Sequence, residues 1–176
     1  KYEVFYKTDD SHAFRDWNVD QPWMPESWGI TISCPDKACQ QFVKPYSEQS
    51  DPDILALMIR IGNDEKVYQK FELHLPTDVR IYCIGEGRSE QMYDFGWIEA
   101  ATTRERVWEM NYAESHHAGG GKKNRLVNKV IKLNPGKYEV FYKTDDSHAF
   151  RDWNTSPPED EEHWGITIIR QSHDNF

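Results

Sequence analysis

The residues best suited to chemistry in this 176-residue chain lie in one stretch, Thr144-Asp145-Asp146-Ser147-His148, followed by Asp152, Trp153 and Asn154. Asp145, Asp146 and Asp152 offer hard carboxylate oxygens of the kind that Ca²⁺ prefers, although the spacing of an EF-hand loop is missing. The same Asp and Ser side chains also suit a strand end, where they bond nearby backbone amides in a turn. Both readings stay open at this level. A Ser–His–Asp triad drawn from Asp146, Ser147 and His148 does not work. Neighbours on extended backbone point to opposite faces, whereas a triad converges from separate segments. The stretch therefore predicts a binding site made of Asp145, Asp146, His148, Asp152, Trp153 and Asn154, with no catalytic residue and Ca²⁺ as the only cofactor to consider.

Other stretches carry weaker chemistry. His116 to Asn124 contains Gly119-Gly120-Gly121-Lys122, which resembles a phosphate loop only in part. Such a loop continues Gly-Lys-Ser/Thr into a helix, and here Lys123 and Asn124 lead toward a strand. A hairpin loop is the expectation. Gly85-Glu86-Gly87 likewise reads as a loop after a strand, and Asp94, Glu99, Glu105 and Glu109 as a solvated face. Trp97, Trp108, Trp153 and Trp164, with Tyr93 and Tyr112, offer a platform on which a sugar ring could stack, but a chain short of aliphatic bulk also needs its tryptophans inside. Cys34 and Cys39 flank a short loop that a disulfide could close in an oxidising compartment, and Cys83 reads as a buried free thiol. Three cysteines do not make a zinc site.

What must position these residues is a repeat. Residues 1–18 and 137–154 are identical, and Trp28-Gly29-Ile30-Thr31-Ile32 recurs as Trp164-Gly165-Ile166-Thr167-Ile168 at the same offset of 136. Pro22 with Pro158 and Glu26 with Glu162 fall in step. Agreement of this length marks a tandem array. It places the last strands of one module in residues 1–34, a linker in 35–52, a complete module in 53–170 and a tail in 171–176. Between the matched blocks, residues 19–27 and 155–163 diverge and are rich in proline, as a surface loop would be.

Inside the complete module the apolar period is two. Phe71, Leu73 and Leu75 alternate with polar residues; so do Val79, Ile81 and Cys83, then Trp108 and Met110, then Tyr138, Val140 and Tyr142. Such alternation places one face on a core and one in water. Ile54 to Ile61, almost wholly apolar, reads as a central strand. Leu126 to Leu133 also fits a helical stripe, but its β-branched residues favour a strand. The sum is about eight short strands without a long helix: an all-β, antiparallel β-sandwich of jelly-roll-like character, preceded by two strands of another repeat.

Charge narrows the partners. A net charge of −9 and a pI near 5.2 oppose the counterion release that nucleic-acid binding relies on, and oppose anionic membranes as well. The longest wholly apolar run, Ile54 to Ile59, is far shorter than the roughly 20 residues that cross a bilayer. The chain opens Lys-Tyr-Glu, without Met or an apolar leader, as a mature form or a fragment does.

Gly85-Glu86-Gly87, Tyr93-Asp94-Phe95-Gly96-Trp97-Ile98, Val107-Trp108-Glu109-Met110, Leu133-Asn134-Pro135-Gly136-Lys137-Tyr138 and Asp145-Asp146-Ser147-His148 together resemble an uncharacterised β-rich repeat of large bacterial proteins, over about residues 53–170. The Leu-x-Pro-Gly-x-Tyr piece is also similar to the late strands of pre-peptidase C-terminal modules, accessory β-sandwiches on secreted bacterial enzymes. These resemblances supply no active site. They imply a non-catalytic accessory module, bacterial and extracellular or at the cell surface. The expected function is structural or protein-interacting, with self-association through strand exchange or strand addition; a carbohydrate- or calcium-binding module is the alternative.

Overall fold

A computed structural model of the chain describes residues 4, 6, 8, 11–40, 43 and 51–171. It divides into two compact units, 1–47 and 48–176. In the first, β1 (His12–Ala13) and β2 (Asp16–Trp17) form a small antiparallel hairpin. Its two-residue turn, Phe14-Arg15, puts Arg15 at a φ of 70°. A 3₁₀ turn follows at Pro25–Ser27, then a one-turn helix, α1 (Lys37–Gln40). The Asp36 carboxylate accepts the Cys39 amide at 2.8 Å, and Cys34 and Cys39 are joined in a disulfide with Cα atoms 5.5 Å apart. Thus the start of the expected linker is helical. Much of the expected first strand, and all of the linker from 44 to 50, lies outside the described residues.

The second unit is the sandwich. Its strands are β3 (Ile54–Ile59), β4 (Lys66–Leu73), β5 (Thr77–Arg88), β6 (Gln91–Met92), β7 (Phe95–Ala100), β8 (Arg106–Glu109), β9 (His116–His117), β10 (Asn124–Leu133), β11 (Gly136–Lys143) and β12 (Gly165–Arg170). Eight of them have four residues or more, in keeping with the expected count. All these strands pair antiparallel. One sheet runs β3-β12-β5-β10-β9, with β6 on the end of β5; the other runs β4-β11-β7-β8. The core lies between the sheets and follows the period of two: Val79, Ile81 and Cys83 from β5, Val127 from β10, Tyr138, Val140 and Tyr142 from β11, Ile166 and Ile168 from β12. The ambiguous Leu126–Leu133 run is strand β10, paired along its length with β5.

The order of strands matters more than their number. β11 lies between β4 and β7 in one sheet, and β12 lies between β3 and β5 in the other. The closing segment, residues 137–168, therefore supplies an interior strand to each sheet. It is what joins β4 to β7 in one sheet and β3 to β5 in the other.

Three expectations are corrected. Ile54–Ile61 is not a central strand: β3 is an edge, half-buried, with its outward backbone covered by a side chain. Gln69, on β4, accepts the Leu57 amide and donates to the Leu57 carbonyl, both at 2.9 Å. An amide side chain thus fills the ladder position a further strand would take. Gly85-Glu86-Gly87 is not a loop but the end of β5, and the turn comes later, at Ser89 and Glu90, both with positive φ as a type I′ hairpin requires. Trp28–Ile32 is not a strand, although its copy at 164–168 runs into β12.

Candidate functional site

Two neighbouring constellations are built where the closing segment enters the sandwich. The first is acidic. Glu86 sits near the end of β5 between two glycines, and a Cβ at position 85 would come within 2.1 Å of the Asp94 carbonyl oxygen. Glycine there lets the Asp94 backbone fold against β5. The Glu86 amide donates to the Asp94 carbonyl at 3.1 Å, and the Tyr93 amide donates to the Glu86 carbonyl at 2.8 Å. Asp145, just beyond β11, donates its amide to Asp94 Oδ1 at 2.8 Å and accepts the Ser147 amide on its own Oδ1 at 3.0 Å. Carboxylate oxygens of Glu86, Asp94 and Asp145 consequently lie within 4.8 Å of one another. Lys123 Nζ reaches Glu86 Oε1 at 3.0 Å.

Burial sets the electrostatics. Asp94 is wholly buried, and desolvation pushes its carboxyl up to about 8, with the Asp145 amide opposing and the charges of Asp145 and Glu86 adding. Burial also raises Glu86, against the hydrogen bond and charge of Lys123. Glu86 Oε2 and Asp94 Oδ2 are both buried without a hydrogen-bond partner.

The second constellation is a lock. Asn124, fully buried at the start of β10, donates from Nδ2 to the carbonyls of Gly119 at 2.9 Å and Ser156 at 3.0 Å. Its Oδ1 is then left to face His148 Nε2 at 2.6 Å, so the imidazole carries its proton on Nε2. His148 is wholly buried, and its pKa falls to about 4 through desolvation first and the Lys123 charge second, with Asn154 opposing. Its ring meets Trp153 and Trp164 edge-on, with centroids 5.0 and 5.6 Å away, and the two indoles meet at 4.9 Å.

Of the residues expected to bind together, only Asp145 enters the acidic cluster. Asp146 is exposed; Asp152 is exposed and accepts Asn63 Nδ2 at 2.8 Å; Asn154 is exposed beside His148. His148 and Trp153 belong to the aromatic knot. Asp94, expected on a solvated face, is its opposite: a wholly buried acid. The expected sugar platform is mostly interior. Trp108 and Trp164 are core, and Trp97 lies beneath the Arg106 guanidinium, 4.9 Å from its ring centroid. Cys83 is a buried thiol pushed up to about 12 by desolvation. The glycine loop is a hairpin, with Gly119 and Gly120 at φ of 82° and 63°; at Gly120 a Cβ would stand 1.8 Å from the Pro157 carbonyl oxygen.

Glu86, Asp94, Lys123 and Asn124 escaped the expected site. For the first two a signal exists: a charged residue flanked by glycines, and an acid inside the aromatic run Tyr93-Asp94-Phe95. Nothing local marks Asn124. No family model matches this chain, and no curated protein matches it either.

Proposed function

We propose that the protein is a non-catalytic repeat module that joins or builds arrays by completing β-sandwiches with its closing segment. One observation carries this reading: the same sequence occurs twice, with the same local core and opposite burial. In the first copy His12, Trp17 and Trp28 form an edge-on knot with centroids 4.9, 5.4 and 4.9 Å apart, matching His148, Trp153 and Trp164. Around it, Tyr6, Trp28, Ile30 and Ile32 are 49%, 36%, 53% and 71% exposed, whereas Tyr142, Trp164, Ile166 and Ile168 are each 0% exposed.

Burying such side chains is worth roughly 1.5–3 kcal/mol each. The described residues of the first copy therefore present an apolar face, while the corresponding slot in the sandwich is filled by β11 and β12. The first copy's matching acceptor is a second body of this kind, offered along the same polypeptide or by another molecule. The polar residues of the segment support a structural role: His148 is committed to Asn124, and Asp145 Oδ1 to the Ser147 amide.

The test is complementation. A tagged body spanning 51–136, which lacks a closing segment, is co-expressed with the full chain. We expect recovery of a one-to-one complex, lost when Ile30 and Ile32 are both changed to Asp. A peptide of residues 137–171 serves as the positive control for insertion in trans. A body that accepts this peptide but not the full chain, or that holds the double variant equally well, rules the reading out.

A further inference from the structure

We propose that Glu86, Asp94 and Asp145 form a site for a hard divalent cation, for which Ca²⁺ is the probe. Acidic clusters on surfaces are common and mean little. This one differs in that Glu86 is 7% and Asp94 0% exposed, and each leaves a buried carboxylate oxygen, Oε2 and Oδ2, without any hydrogen-bond partner. An unpaired buried carboxylate oxygen is unfavourable in a protein that has nothing to place against it. A cation is the group that satisfies both.

Charge and size agree with that occupant. With all three carboxylates ionised, as ligation requires, they and the single Lys123 ammonium carry two net negative charges, the complement of one divalent ion. Oxygens on opposite sides of a Ca²⁺ at ~2.4 Å stand ~4.8 Å apart, whereas around Mg²⁺ at ~2.1 Å they stand ~4.2 Å apart. The three oxygens all lie within 4.8 Å of one another, inside the span that a single Ca²⁺ can bridge. Backbone bonds hold the frame: Asp94 Oδ1 and Asp145 Oδ1 are each fixed by an amide, which turns their second oxygens free to ligate. Waters complete the shell. The ligands differ from the sequence-level set, of which only Asp145 is retained. A bound ion would clasp β5 and the turn after β6 to the turn after β11 in the closing segment.

The inference is independent of strand complementation. The test is calorimetric titration of the chelator-treated full chain with Ca²⁺, Mg²⁺ and Mn²⁺, with thermal unfolding in parallel. Saturable Ca²⁺ binding is expected, with a rise in Tm of several degrees at a hundredfold excess over Kd. Asp94→Asn and, separately, Glu86→Gln should each weaken Ca²⁺ at least tenfold, while Asp146→Asn and Asp152→Asn bind as the parent does. Absence of saturable heat in the parent at millimolar Ca²⁺ overturns the proposal, whatever the variants do. So does a folded Glu86→Gln protein that binds unchanged.

Discussion

At the residue scale, His148 shows how a group that looks reactive in sequence becomes structural. Its neighbours leave one ring nitrogen on Asn124, and both indoles of the knot face its ring. Charging it in place is costly. With a folded pKa near 4 against an ordinary value of 6.5, the unfolded chain binds the proton more tightly. This contribution to stability is therefore complete above pH 6.5 and lost as the pH falls toward 4, by up to about 3 kcal/mol. His148→Gln keeps a donor for Asn124 and removes the titration. Urea unfolding from pH 7 to 4 should show the gap between parent and variant narrowing by that order. An unchanging gap would mean the ring is protonated or solvated in the fold.

At the element scale, β3 is an edge strand, and one side chain shields it from unwanted pairing. The Gln69 amide takes both backbone groups of Leu57 and links the edge of one sheet to β4 of the other. Gln69→Ala is expected to cost about 1 kcal/mol, since the released groups return to water. It should also promote concentration-dependent association, because the edge is then bare. Urea midpoints and light scattering over a concentration series measure the two effects. A variant equally stable and equally monomeric would show that the edge is guarded by something else.

At the scale of the whole molecule, the repeat provides its own control. Trp164 lies in the core of the sandwich, and Trp164→Ala should cost about 3–5 kcal/mol of its stability. Trp28 is the same residue in the same local sequence, but no sandwich encloses it. Trp28→Ala should leave the main unfolding transition within about 0.5 kcal/mol of the parent. Differential scanning calorimetry on both variants decides this, and equal losses would mean that the first copy is also part of a packed core.

The chain by itself determined a good deal. Alternation of period two fixed the strands at Phe71, Val79, Trp108 and Tyr138, because a pleated strand must show alternate residues to core and solvent. The Cys34–Cys39 pair was legible from its short loop, since a ring of this size is closed by neighbours in sequence. What tertiary structure alone decided is everything that depends on strands far apart in the chain. Whether β3 is central or an edge depends on β12, which arrives more than a hundred residues later. Whether Trp-Gly-Ile-Thr-Ile is a strand depends on flanking strands, since its own residues hold no ladder partner; the two identical copies settle this in opposite ways. The acidic cluster is of the same kind. Glu86, Asp94 and Asp145 read as polar punctuation along the sequence, and only the packing of β5, the turn after β6 and the turn after β11 turns them toward one another, with Glu86 and Asp94 away from water.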